Sequence, residues 1–165
     1  MSRRVHTEVS ASMNIFVPFA ESKRCAEALD DLRLNKMILE TAQILSTALR
    51  HYNTSMDVYK ATHVNHPCCV WARQNKSNYE WLRHHFTDLL LEKHHRTGKI
   101  HKSQRLELMF KDGAKLLPDG EQTPFVNCTK FKDIVDVHEA YRVALRDKWD
   151  NDIRPPKWTK RLRLF

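Results

Sequence analysis

One helix-forming run constrains this chain more than any other feature. Between Leu29 and Arg50 the sequence reads LDDLRLNKMILETAQILSTALR, with no Gly or Pro and many strong helix formers. At about 100° per residue, Leu34, Met37, Ile38, Ile44, Leu45, Ala48 and Leu49 share one broad apolar face. Arg33, Lys36, Glu40, Gln43 and Thr47 form a narrow second stripe at spacings of three and four. Such a helix belongs in a core and shows one line of chemistry to a groove, with Glu40 at its centre. The plainer alternative is a solvated face on which Lys36 and Glu40 make an ordinary i,i+4 ion pair, worth about 0.3 kcal/mol.

The chain has 165 residues, enough for one domain with a real core. Three glycines and long periodic segments predict a mainly α protein. The expected form is a single-domain helical bundle with a short extended N-terminal segment and flexible termini. Residues 1–12 read as a flexible basic arm, 13–153 as the helical domain and 154–165 as a basic tail containing Pro and Trp. No apolar run approaches the ~18 residues of a membrane span. The opening MSRRVHTEVSAS lacks the apolar stretch of a secretory signal. Cys25, Cys68, Cys69 and Cys128 show no C-x-x-C pair and fit reduced thiols, which predicts an intracellular, cytoplasmic protein.

Charge narrows the partner. The net charge is +8, and ten histidines add to it under mildly acidic conditions. An excess of this size in a small chain favours a polyanion, most often nucleic acid. One basic cluster runs from Lys93 through Arg96, Lys99, Lys102 and Arg105, interleaved with His94, His95 and His101. The other is the terminal group Lys157, Trp158, Lys160, Arg161 and Arg163. Cations with aromatic residues suit backbone contact and base stacking.

Along the chain, NIFVPF at 14–19 reads as a short extended segment, with Pro18 against a central strand. Ser22 is placed to cap a first turn leading into the long helix. The connection HYNTSMDVYKATHVNHP is long for a compact domain, and connections of this kind are often functional. Pro67 suits the first position of a helix through Arg73. A second long helix runs from about Ser77 to Thr97 and stops at Gly98. Its core face is Tyr79, Leu82, Phe86, Leu89 and Leu90, and a separate stripe holds Trp81, His85, Asp88 and Glu92. A short helix is expected over 104–111, a loop over 113–127 and a helix from Ile134 to Trp149. Pro155 and Pro156 then release the basic tail.

Candidate chemistry concentrates in YKATHVNHPCCVW, at 59–71. Asn65 and His66 precede Pro67, where the free amides of a helix start can receive a phosphate; a simple capping role is the alternative. The histidine pairs 63/66, 84/85 and 94/95 reproduce neither H-E-x-x-H nor a zinc spacing, so no metal and no cofactor are expected. A P-loop and G-x-G-x-x-G are both absent from the sequence. Ser22, Ser46 and Ser77 lack a nucleophile-elbow context, and Cys68 and Cys69 beside histidines are weak evidence for a nucleophile.

The run LDDLRLNKMILETAQIL, followed by NHPCCVWA and NYEWL, resembles small phage and bacterial proteins grouped with the pyrimidine dimer DNA glycosylase family. The resemblance covers roughly Asn14 to Lys102. It implies a helical domain with an acidic residue in an early helix that assists glycosidic cleavage and later proton abstraction. Glu40 occupies that place, nine residues after Asp31, and Arg33 falls where the characterised family has a histidine at the damaged site. Asn65, His66 and Pro67 match the start of its next long helix. The family's reactive amine is that of a processed N-terminal threonine, whereas this chain opens Met1, Ser2. Candidate amines are therefore Ser2 after loss of Met1, a start at Met13, or Lys36.

The leading expectation is a DNA-damage or DNA-base-processing enzyme, a pyrimidine-dimer-type glycosylase with a possible AP lyase step. Its expected catalytic residues are Glu40, Lys36 and Arg33. Expected DNA contacts are Asp31, Asn35, Gln43, Asn65, His66, Trp71, Trp81, His85, Lys99, Lys102, Arg105, Lys160 and Arg161. The alternatives are a non-catalytic nucleic-acid-binding accessory protein and an enzyme of phage nucleotide or modified-base metabolism.

Overall fold

The computed structural model describes residues 13–165, and the expected basic arm at 1–12 lies outside the described residues. Among the described residues, six α-helices follow in order: α1 (Ser22–Ala28), α2 (Asp31–His51), α3 (Pro67–Arg73), α4 (Lys76–Thr97), α5 (Glu107–Gly113) and α6 (Val137–Asn151). Short 3₁₀ turns at Lys102–Leu106 and Ala114–Leu116 flank α5, and no strand occurs among the described residues. The protein is mainly α, as its periodicity predicts.

Capping chemistry sets the helix starts. Asp30 caps α2 by accepting from Arg33 N at 3.4 Å, and its other oxygen takes the Trp149 indole N–H at 2.7 Å. Asn75 caps α4 by accepting from Asn78 N at 2.9 Å, two residues before the expected start at Ser77. Asp136 accepts from His138 N and delays α6 to Val137. Pro67 is the first residue of α3, and Gly98, at φ 70°, ends α4 in the left-handed region. Ser22 caps nothing: its hydroxyl donates to Asp88 Oδ2 at 2.5 Å, tying α1 to α4.

The core forms where α2 and α4 cross, with α3 against both. Met37, Ile38, Ile44, Leu45, Leu49, Tyr79, Leu82, Phe86 and Phe110 are all fully buried. The segment 13–18 is buried without pairing as a strand, and Phe16 takes φ 57° with its ring edge-on to Tyr141 at 6.1 Å. That left-handed turn costs about 1–2 kcal/mol, offset by burying the ring.

The long connection and the tail are both held against the helices. The long connection after α2 is laced along it: Arg50 donates to the Val58 and Tyr59 carbonyls, Ser46 Oγ accepts from Tyr59 N, and Thr47 exchanges hydrogen bonds with Thr62. The basic tail after Pro156 packs back on the helices. Lys157 O accepts from Asp31 N at 2.8 Å, Trp158 Nε1 donates to Ala28 O, and Trp149 meets Trp158 edge-on at 4.8 Å. Trp158, Phe165, Arg161 and Arg163 find partners on α1, α4 and α6, so it is not a released arm.

Candidate active site

The polar stripe of α2 opens into a cleft of about 440 Å³ lined by Asn35, Lys36, Leu39, Glu40 and Gln43. Met13 closes one side, His63 comes from the laced connection, and His101 and Lys102 come from the start of the 3₁₀ turn. The Tyr59 and Ser103 hydroxyls, 2.7 Å apart, fix the connection against that turn.

Glu40 sits at the centre with its side chain 13% exposed. Oε2 has no hydrogen-bond partner among the described residues, and Lys36 Nζ lies 3.7 Å from it. Burial raises the carboxyl above its ordinary value, opposed by the Lys36 charge, a hydrogen bond from the Asn14 backbone N–H and the His63 charge. A carboxylate held out of water with one oxygen unspent is suited to stabilise positive charge or to take a proton.

The surrounding groups favour anions. Lys36 is half-exposed and Lys102 exposed. Lys93 Nζ donates to Asn35 Oδ1 at 2.6 Å, at the cleft's edge. His101 Nδ1 accepts from Ser103 N at 3.0 Å, which leaves the ring proton of the neutral imidazole on Nε2. Burial, with Lys93 and Lys102 nearby, lowers its pKa and keeps it neutral. Lys148 of α6 lines an adjoining hollow with Met13 and Asn14, and its ammonium is weakened by burial and by Arg33 and Lys36. A larger groove, about 620 Å³, shares Asn35 and is lined by Asp30, Asp31 and Asp152, each paired with an arginine, together with Arg154 and Lys157.

Of the residues expected from sequence, Glu40, Lys36, Asn35, Gln43 and Lys102 meet in the cleft. Lys99 is exposed just beyond Gly98, and Arg105 is exposed with its guanidinium 5.5 Å from the Tyr59 ring centre. Asn65 is exposed on the connection. His66 caps α3, its Nδ1 accepting from Cys68 N at 3.1 Å.

Others are committed elsewhere. Arg33 makes a two-pronged pair with Asp152 at 2.8 and 2.9 Å and also reaches Asp30, so it locks α2 to the end of α6 rather than lining the cleft. Asp31 accepts from Arg96 and from Thr159. Trp71 is 2% exposed and donates to Thr123 O, which removes it from base stacking. His85 is fully buried beneath Trp81, whose own N–H goes to Ala20 O. Their stripe on α4 is covered by α1, with Phe125 against the Trp81 ring and the tail farther along at Glu92. Arg161 pairs with Glu92 at 2.8 Å and Lys160 Nζ donates to His95 O at 3.3 Å, so the tail cations serve docking.

His63, Met13 and Asn14 were not singled out as site residues from sequence. The lacing of the connection and the fold-back of 13–18 are tertiary, and only the length of the connection hinted at them. Among the described residues, one group has metal-ligand spacing: His66, Cys68 and Cys128, whose ligand atoms lie within 4.8 Å of one another.

A helical domain with a desolvated carboxylate in a cation-edged cleft has the makings of a nucleic-acid-processing enzyme. The sequence matches the family model of the pyrimidine dimer DNA glycosylases over residues 13–106, more than half of the chain, and the chain belongs to that family. DNA glycosylases act on DNA, and the matched span contains every residue that lines the cleft. No curated protein and no solved structure matches the chain significantly. No helix of the described residues is long and apolar enough to cross a membrane.

Proposed function

We propose that the cleft over α2 excises a damaged pyrimidine from duplex DNA, with Glu40 as the catalytic carboxylate, and that an amine then cleaves the strand. The observation that carries this reading is Glu40 itself, desolvated at the floor of the cleft with Oε2 unspent. As the N-glycosidic bond breaks, positive charge develops on the sugar, and a fixed carboxylate stabilises it without reorganisation. Lys102 and Lys99 are placed to receive backbone phosphates.

For the strand-cleaving step, an amine attacks the sugar C1′ and the base departs with the bonding electrons. The C1′–O4′ bond then opens to the imine as the amine's proton passes to O4′. Glu40 takes the acidified C2′ proton while the C3′–O bond breaks and the 3′ phosphate leaves. Lys36 is the amine set beside Glu40. Lys148 is a second candidate, favoured by the surroundings that weaken its ammonium. A chain starting at Met13 would offer a third, since the Asn14 N–H already faces the carboxylate.

The test uses ultraviolet-irradiated duplex DNA with borohydride present. Full-length protein, a chain starting at Met13, Lys36→Ala and Glu40→Gln are compared, and the adduct is mapped by mass spectrometry. A lesion-dependent covalent adduct is expected, lost in Glu40→Gln while DNA binding persists, and the mapped residue identifies the amine. Base release without an adduct would remove the lyase step. Undiminished excision by Glu40→Gln would overturn the assignment of the carboxylate.

A further inference from the structure

Cys68 and Cys128 take no part in the proposed reaction, and they converge from distant parts of the chain. We infer that His66, Cys68 and Cys128 form a binding site for a thiophilic divalent cation, with zinc the best fit. The two sulfurs lie 3.3 Å apart. A disulfide would bring them to ~2.05 Å, whereas two thiolates on a tetrahedral zinc at ~2.3 Å each stand ~3.8 Å apart. The observed spacing is nearer the second. The His66 ligand atom completes a set in which all three lie within 4.8 Å of one another. Cys128 is held in place by its neighbours: its N–H donates to the Tyr141 hydroxyl at 3.2 Å, which in turn donates to Val126 O.

The donor chemistry agrees with the spacing. Two thiol sulfurs and one imidazole are a donor set that zinc prefers, and binding through the sulfurs displaces their protons. Coordination through Nδ1 would replace the hydrogen bond from Cys68 N, which makes His66 the weakest of the three ligands. Cys128 is half-buried, which gives the ion an approach from solvent, and water would fill the fourth tetrahedral position. A bound ion would pin the irregular segment 117–136 to the start of α3. This inference is independent of the glycosylase reading.

The experiment uses the reduced full chain, desalted and equilibrated with zinc or cobalt chloride. Zinc is expected to stay with the protein at one per chain. Cobalt should give a sulfur-to-metal charge-transfer band, and zinc should slow alkylation of Cys128 in the native protein, reversed by a chelator. Cys128→Ser should weaken zinc at least ~10²-fold, since loss of a mere supporting partner already costs 10–100-fold. His66→Asn, which can still cap α3, should weaken it less, and Cys25→Ser not at all. The alkylation and cobalt readouts need no variant, so a poorly folding Cys128→Ser does not remove the test. Wild-type protein that retains no zinc, lacks the cobalt band or shows unprotected Cys128 would overturn the inference. So would unchanged affinity in a folded Cys128→Ser, or a Cys68–Cys128 disulfide in a protein that takes up no metal when reduced.

Discussion

Glu40 shows in one side chain how a reactive group is set against stability. Its carboxyl is raised by burial, so the folded state binds the proton more tightly than the unfolded chain. Stability therefore falls as pH rises from the ordinary value of 4.5 through the folded value, and above that the buried charge is a constant cost. Glu40→Gln removes that cost and keeps the shape. The variant is expected to melt at or above the wild-type temperature at neutral pH, with the gap closing below 4.5, where the carboxyl is protonated in both states. Excision should fall by at least ~10²-fold, the usual scale for loss of a positioned acid or base. Thermal melts at the two pH values and a base-release assay check both halves. A variant that melts lower at neutral pH would mean that the Lys36–Glu40 pair is a structural tie.

At the scale of elements, α4 was legible in its length and core face but not in what covers its other side. The stop at Gly98 and the buried row from Tyr79 to Leu90 follow from local chemistry, whereas the start falls at Lys76 behind an Asn75 cap rather than at the expected Ser77. The stripe Trp81, His85, Asp88, Glu92 has the composition of a binding surface, and nothing local says that α1 and the tail lie across it. Likewise Arg33 belongs to the stripe of Glu40 by periodicity, yet Asp152, more than a hundred residues away, claims its guanidinium. What covers the stripe is a buried ionic group: Glu92 accepts from Arg96 and Arg161, and Arg96 reaches Asp31 at 3.0 Å. Burial would raise the Glu92 carboxyl, but the hydrogen bonds from Arg161 and Arg96 outweigh it and hold it below 4.5. Asp31 is likewise lowered against burial, through Thr159 and Arg96, and Asp152 through Arg33. Their stabilisation is present above the ordinary carboxylate values and is lost as pH falls through the lower folded ones. Acid should therefore release the tail first, read as a change in Trp149 and Trp158 fluorescence before the far-ultraviolet helix signal falls. Arg96→Met, which leaves the buried Glu92 with Arg161 as its remaining cation, should cost up to about 3–5 kcal/mol in denaturant melts. A coincident loss of both signals in acid would mean that the tail is part of the cooperative core.

For the whole molecule, a net charge of +8 says that a polyanion is attracted without saying where. The structure divides that charge into unequal shares. Arg33, Arg96 and Arg161 are neutralised by internal carboxylates, while Lys99, Lys102 and Arg105 are exposed and Lys102 lines the cleft. Lys76, Lys111 and Lys115 line a separate surface hollow. Each phosphate neutralised by a cation steepens the salt dependence of DNA affinity by about 0.9 in log–log slope. Lys99→Ala, Lys102→Ala and Arg105→Ala are each expected to shallow that slope by about this amount, and to weaken undamaged and lesion-bearing duplexes alike, because phosphate contacts position the protein without reading the base. Lys111→Ala and Lys115→Ala should leave the slope where it was. Fluorescence anisotropy over a salt series with one labelled duplex measures all five variants. Equal slope changes at both sets of lysines would show that the DNA is held by diffuse charge, and the cleft over α2 would lose its claim to be where the duplex docks.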